Sequence, residues 1–154
     1  MQNTTNHIKR ELQLTADGSH TLFIPEMDEH YHSVNGAVQE SRHVFIEAGL
    51  HHLERRVNHH LEIGFGTGLN AFLTLLDAEA CQRKIHYCSI ELYPLGTDVI
   101  ESLNYGECSV PDERMFSMPC IRRNGMLQSR LRSSLNCIKY KETVIRVLCR
   151  IEST

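Results

Sequence analysis

Short apolar runs and segments of helical periodicity alternate along the first part of the chain. The turn-forming residues 17–19 precede an apolar run at 21–25, which predicts a strand. Asn35 is a candidate N-cap for a helix from about 36 to 48, and Gly49 follows as its end. The apolar positions of this helix are expected near one face: Val38, Phe45 and Ala48.

The next stretch carries the clearest order of elements. A strand at 61–63 runs into a glycine-rich turn at 64–68, and a helix follows at 71–76. A second strand is predicted at 84–93 and a second helix at 96–104. Strand, glycine turn, helix, strand and helix form one half of a doubly wound parallel sheet, so the predicted fold class is α/β.

Composition and charge refine this interpretation. The 154 residues suit one domain, and 41% apolar residues are enough for a core. No apolar run is long enough to cross a bilayer, and the polar N-terminus has no signal-like segment, so we expect a cytoplasmic protein. The net charge changes sign along the chain, from −9 over residues 1–117 to +6 over residues 118–154. A basic tail of this kind is typical of nucleic-acid contact.

Cysteine and histidine do not indicate a metal site. The six cysteines include no C-x-x-C pair, and without an export signal we expect free thiols. The ten histidines include two adjacent pairs, but no carboxylate or cysteine completes a recognisable ligand set, so we predict no metal.

The glycine turn has the spacing G-x-G-x-G at Gly64, Gly66 and Gly68. Leu69 stands where a dinucleotide-binding turn has its third glycine, and Glu62 would repel a diphosphate. A carboxylate before the turn suits a ligand with an ammonium group and no phosphate, such as S-adenosylmethionine.

Glu91 ends the second predicted strand and could accept hydrogen bonds from both ribose hydroxyls of a nucleoside. Together with Glu62 and the glycine turn it predicts an adenosylmethionine site. The alternative is a tight strand-to-helix turn with Glu91 as a solvated strand end.

Three blocks of the sequence resemble a known family, the MnmC-like methyltransferase domain. They are residues 15–50, 61–76 and 90–96, in the family's order. The resemblance implies a Rossmann-like, class I methyltransferase fold that is incomplete, with only the N-terminal half of the sheet. It also implies conversion of 5-aminomethyl(-2-thio)uridine at the tRNA wobble position to its methylaminomethyl form, with tRNA as partner and an FAD-dependent oxidase acting on the same nucleoside.

The resemblance also implies roles for individual residues. The cofactor would be lined by Glu62, Gly64, Phe65, Gly66, Thr67, Gly68, Asn70 and Glu91. The entering base would lie near Asp28, Tyr31, His32 and Ser33. Ser41 and Arg42 fall in a supporting block of the family. For the polar residues of the N-terminal block, loop packing or helix capping is an equal alternative.

The chain departs from the family after about residue 117. The family's catalytic Asp lies in a D-A-F block on a later strand, and no such block is found here, so the catalytic residue is unknown. A shifted reading frame from Met118 permits a stretch that looks like the family's continuation. We therefore hypothesise that residues 1–117 are the N-terminal part of the methyltransferase domain. Residues 118–154 would be a tail translated in a shifted reading frame, so that the domain is truncated. A sheet cut at this point should expose a strand face and edge and favour aggregation.

Three functions remain open. The first is the tRNA methyltransferase, the second a remnant that binds adenosylmethionine without transferring methyl, and the third a basic RNA-binding protein without cofactor. Calorimetry with adenosylmethionine separates the third from the others, and a transfer assay on tRNA separates the first from the second.

Overall fold

The structure, a computed structural model, describes residues 8–52, 57–81, 84–108 and 144–147. Its strands and α-helices follow in the order β1 (Glu11–Leu14), β2 (His20–Ile24), β3 (Glu29–His30), α1 (Ala37–Ser41), β4 (Val57–Ile63), α2 (Leu69–Ala80), β5 (Lys84–Ile90), α3 (Thr97–Glu101), α4 (Tyr105–Cys108) and β6 (Val144–Val147). A π-helical turn at Arg42–Glu47 and a 3-10 turn at Leu50–His52 lie between α1 and β4.

These strands form two small sheets. In the first, β1, β2 and β3 pair antiparallel in sequence order. In the second, β4 and β5 pair in parallel, with α2 as the connection between them. This β4–α2–β5 unit confirms the predicted strand, glycine turn, helix and strand.

The other edge of β5 is occupied by β6, which pairs with it antiparallel. Our expectation of an open edge after the second strand is therefore wrong for β5. The strand β6 comes from the predicted tail; the rest of 118–154, and the boundary at 117, lie outside the described residues.

The first turn of α1 is capped from a distance by the turn between β1 and β2. Asn35 is not the cap as predicted: the N-cap is Gly36, at φ 147°, and no local side chain bonds to the helix start. A Cβ on Gly36 would lie 2.9 Å from Asp17 Oδ2, so glycine is needed for this approach. Three backbone amides donate to the turn: Ala37 N to Thr15 Oγ1 at 3.3 Å, Val38 N to Ser19 Oγ at 3.2 Å and Gln39 N to Asp17 Oδ2 at 2.8 Å.

The predicted helix at 36–48 changes type after Ser41, where the π-helical turn begins. The wider turn shifts the inward-facing position by one residue, so Ile46 is buried and Phe45 is 50% exposed. Ala48 is exposed as well. The prediction that Phe45 and Ala48 share a buried face with Val38 is thus wrong, because it assumed a regular 3.6-residue period.

The predicted helix at 96–104 is also interrupted, ending as α3 at Glu101. Asn104 instead ties the chain to the first sheet: its Oδ1 accepts from His20 N at 2.8 Å and its Nδ2 donates to Gly18 O at 2.9 Å. These contacts span more than eighty residues of sequence, which local periodicity cannot reveal.

The core lies on one side of the β4–β5 sheet. It joins α1 and the turns after it with α2 and β5, and its buried members include Val38, Ile46, Leu50, Leu69, Leu73, Ile85 and Tyr87. On the opposite side, Leu61 is 66% and Ile63 is 74% exposed. These exposed apolar side chains confirm the predicted exposed strand face. In most parallel sheets, helices cover both faces, so such residues would be buried. In the part of the chain that the structure describes, no helix is long and apolar enough to span a membrane.

The long-range cap makes stability depend on Asp17. Burial raises the pKa of its carboxyl, but hydrogen bonds from Ser19, Gln39 and Thr15 outweigh burial and hold the pKa at about 2. We expect Asp17→Asn to lower the free energy of unfolding at pH 7 by about 1 kcal/mol, allowing for solvent screening. The difference from wild type should shrink as the pH falls from 3.8 toward about 2, where the native carboxylate itself becomes protonated.

Urea unfolding at stepped pH measures this difference. The matched control is Glu26→Gln, which replaces an exposed carboxylate in the loop between β2 and β3. This variant should be as stable as wild type at every pH. An Asp17→Asn protein as stable as wild type at pH 7 would contradict the cap.

Candidate functional site

The candidate site is built on the glycine turn between β4 and α2. Gly64, Gly66 and Gly68 have φ values of 85°, 54° and 78°, a left-handed conformation that other L-residues adopt only with strain. Nothing lies within 4 Å of a Cβ built on Gly64, so this glycine is required by conformation and leaves open space beside the backbone. The turn thus connects the end of β4 to the start of α2 at Leu69.

Close packing accounts for the other two glycines. A Cβ on Gly68 would lie 2.9 Å from the ring of Phe65, which is itself buried. A Cβ on Gly66 would lie 3.2 Å from the ring of Tyr31. The N-terminal sheet therefore lies directly against the turn through Tyr31.

Glu62 lies at the end of β4, on the sheet face that α2 covers. Its carboxylate accepts from Ser89 Oγ at 2.9 Å and from Asn70 Nδ2 at 3.1 Å. Burial raises the pKa of Glu62, while hydrogen bonds from Asn70, Ser89 and Tyr87 oppose that rise. All of these donors are neutral, so no described cation balances the charge of this partly buried carboxylate.

Glu91 lies one residue after the end of β5 and accepts a hydrogen bond from the glycine turn. Its Oε2 accepts from Gly66 N at 2.8 Å, and its Oε1 accepts from Tyr93 N at 2.7 Å. The second contact bends the chain, which is why β5 ends at Ile90 rather than at Tyr93 as predicted. A carboxylate has about four acceptor positions, so two remain for ribose hydroxyls.

His32 joins the N-terminal sheet to the turn through its ring. Its Nε2 lies 2.6 Å from Thr67 Oγ1, and Tyr105 donates to the same hydroxyl at 3.1 Å. Thr21 Oγ1 accepts from His32 N and donates to His32 O, which fixes the His32 backbone. Burial lowers the pKa of His32 and raises that of Tyr105 to about 12, so both rings are uncharged at neutral pH.

The structure brings most of the sequence-predicted site residues together, but not all. Two residues of the N-terminal block, Tyr31 and His32, contact the glycine turn. Asp28 is exposed in the loop before β3 at φ 53°, and Ser33 Oγ accepts from Asn35 N, a local contact. Ser41 is buried in α1. The roles of all these residues remain predictions.

Sequence reasoning missed Ser89 and Tyr105. Ser89 has a sequence signal: it is the one polar residue in the inward-facing series Ile85, Tyr87 and Ser89 of β5. Tyr105 has none, because its contact with Thr67 depends on how α4 returns to the turn.

Metal chemistry is not indicated by the described residues. Within the described ranges no group of three or more His, Cys, Asp or Glu side chains is placed to hold an ion. Among the described cysteines, Cys81, Cys88 and Cys108 form no disulfide.

The fold and the turn define the class of protein: a partial Rossmann-like, class I methyltransferase fold. The crystal structure of MNMC2 from Aquifex aeolicus matches with a TM-score of 0.53 and 28% sequence identity, over 70% of this chain and 39% of that one. The predicted α/β, Rossmann-like fold class is confirmed, and the match covers only part of the Aquifex chain.

Curated relatives agree with this match, although no family profile matches the chain. The protein named tRNA 5-methylaminomethyl-2-thiouridine biosynthesis bifunctional protein MnmC from Magnetococcus marinus is 36% identical over 100 residues, 60% of this chain and 14% of the relative. The protein of the same name from Paraburkholderia xenovorans is 31% identical over 99 residues, 60% of this chain and 15% of the relative. The resemblance to MnmC is thus confirmed, and the chain spans about one seventh of these relatives.

The buried histidine makes the site sensitive to pH. A His whose folded pKa is lowered contributes stability above its ordinary value of 6.5 and loses it as the pH falls through that region. We expect His32→Gln, which cannot take up the proton, to show a smaller fall in unfolding free energy between about pH 7 and pH 5 than wild type.

Urea unfolding at the two pH values measures the fall, and the ring-proton shifts of His32 in NMR give its protonation midpoint. A midpoint at or above the ordinary value, or equal falls in both proteins, would contradict the burial of a neutral His32.

Proposed function

We propose that this chain is the cofactor-binding part of an S-adenosylmethionine-dependent methyltransferase that modifies 5-aminomethyl(-2-thio)uridine at the tRNA wobble position. One observation carries the proposal: the glycine turn lies between two carboxylates, Glu62 at the end of β4 and Glu91 at the end of β5. Ligands of open α/β sheets bind at these carboxyl ends of parallel strands.

The charge of the site selects among nucleotide-like ligands. A diphosphate would meet the Glu62 and Glu91 carboxylates with no cation contacting either among the described hydrogen bonds. Adenosylmethionine has no phosphate, and its ammonium group and ribose hydroxyls are donors that match carboxylate acceptors. The two acidic residues therefore favour a sulfonium nucleoside over a dinucleotide.

The residues of this chain then have separate tasks. Glu62 would bind the ammonium group, and Glu91 would bind the ribose while holding Gly66 in place. Gly64 keeps the backbone beside the ligand free of side chains. The cofactor, when bound, supplies a methyl group activated by its sulfonium.

The substrate is inferred from the relatives, whose names give tRNA 5-methylaminomethyl-2-thiouridine biosynthesis. Methyl transfer to an aminomethyl group needs a neutral amine, because the lone pair forms the new bond and an aliphatic amine is mostly protonated near pH 7. The amine's proton must be released to a nearby base, and the family's Asp for this step has no counterpart in the sequence.

A second function is favoured by that missing Asp. The chain would bind adenosylmethionine as a remnant without transferring methyl, since turn, Glu62 and Glu91 all lie before the point of departure from the family. A cytoplasmic location is part of the first proposal, because tRNA would be its substrate. An FAD-dependent oxidase acting on the same nucleoside remains part of the proposal, because the relatives are named bifunctional.

Calorimetry with adenosylmethionine tests the cofactor site. We expect the wild-type chain to bind, and Glu91→Ala to bind about tenfold more weakly, because hydrogen bonds to a charged group are lost. Glu107→Ala, an exposed glutamate on α4, is the matched control and should bind as wild type. No binding by the wild type, or equal binding by Glu91→Ala, would overturn the site.

Methyl transfer is measured separately, with labelled adenosylmethionine and tRNA bearing 5-aminomethyl-2-thiouridine. Label in the tRNA supports the enzyme, whereas binding without transfer supports the remnant.

A further inference from the structure

Ser89 is a fully buried polar residue that the proposed cofactor contacts do not use. It lies on β5 directly opposite Glu62 of β4, in the register of the parallel pair. Its hydroxyl donates to Glu62 Oε2 at 2.9 Å and lies 3.4 Å from the carbonyl oxygen of the same residue. Ser89 therefore contacts Glu62 across the β4–β5 strand pair.

Asn70 holds the other carboxylate oxygen from the first turn of α2. Its Nδ2 donates to Glu62 Oε1 at 3.1 Å. This contact decides which way the amide is turned, because the reverse orientation would set two acceptors against each other. Donors from β5 (Ser89 and Tyr87) and from α2 (Asn70) therefore hold the Glu62 carboxylate from two elements.

The orientation of Asn70 leaves an acceptor without a partner beside the carboxylate. Asn70 Oδ1 is buried, and none of the described residues donates a hydrogen bond to it. A buried acceptor of this kind costs about 1–3 kcal/mol until a donor reaches it. Because the same amide group donates to Glu62, this oxygen would be a second acceptor, beside the carboxylate, for an ammonium group with several N–H donors.

We propose that Ser89 is a positioning residue that turns the Glu62 carboxylate, together with Asn70, toward the ammonium group of a bound amino acid moiety. The inference rests on the proposed adenosylmethionine site and deepens it. It assigns the ammonium subsite to Glu62 and the Asn70 oxygen, with Ser89 acting through Glu62 and not touching the ligand.

A purely structural role for Ser89 predicts something different. The hydroxyl would then serve only to pack the inner face of β5, as Ile85 does, and its loss would affect every ligand of the site equally. A positioning role predicts that only ligands with an ammonium group are affected.

Two ligands separate these roles. S-adenosylmethionine carries the ammonium group, whereas 5′-methylthioadenosine has the same adenine and ribose but no amino acid moiety. Calorimetry on the full chain should show Ser89→Ala binding adenosylmethionine about five- to tenfold more weakly, by analogy with residues that orient a binding group, and methylthioadenosine within about twofold of wild type.

Further variants keep the test decisive. In a Glu62→Gln background, Ser89→Ala should cause no further loss, because the charge it orients is gone. If Ser89→Ala does not fold, Ser89→Cys gives the same direction with a weaker donor. Ser19→Ala removes a second fully buried serine hydroxyl that caps α1, so it should lower stability but leave the ratio of the two affinities unchanged.

The titratable groups around Glu62 are the same in wild type and in the Ser89 variants, and the pH of the measurement is fixed. The titratable groups acting on it from β5 and beyond are Tyr87 and Glu91, and α2 contributes the neutral Asn70.

The outcomes are distinct. If the wild-type chain binds neither ligand, the proposed cofactor-binding function is contradicted. Wild type that binds both, with Ser89→Ala weakening both equally or neither, overturns the positioning role while leaving the cofactor site intact. Selective weakening of adenosylmethionine supports the inference.

Discussion

The left-handed turn at Gly64, Gly66 and Gly68 is the constraint on which the rest of the site depends. Because glycine alone takes this conformation without strain, the chain can leave β4 and enter α2 within a few residues. The turn sets Thr67 against the N-terminal sheet and Gly66 against Glu91. It also lies between the ends of β4 and β5, where the carboxylates of Glu62 and Glu91 are located.

The N-terminal sheet is part of the same construction. One of its turns caps α1 through Thr15, Asp17 and Ser19, and its last strand leads to Tyr31 and His32 on the glycine turn. Loss of the sheet would therefore disturb both the start of a helix and the cofactor turn.

The uncovered side of the β4–β5 sheet shows where the fold is incomplete. Leu61 and Ile63 are apolar because their positions suit a sheet with helices on both sides, yet they are exposed here. The partial match to the Aquifex structure agrees with this, as it covers 39% of that chain. The proposed cofactor contacts lie within the described β4–α2–β5 unit, so binding can be tested separately from methyl transfer.

Much of the β4–α2–β5 unit followed from the sequence alone, because glycine spacing, apolar runs and strand-end carboxylates are local signals. The sequence also determined which two acidic residues flank the turn. Only the tertiary structure decided that Asn35 does not cap α1, that a π-helical turn buries Ile46 instead of Phe45, and that Ser89 meets Glu62 across the sheet. Each of these depends on contacts between residues far apart in sequence or on a local departure from the regular helical period, and neither is visible in a pattern of neighbouring residues.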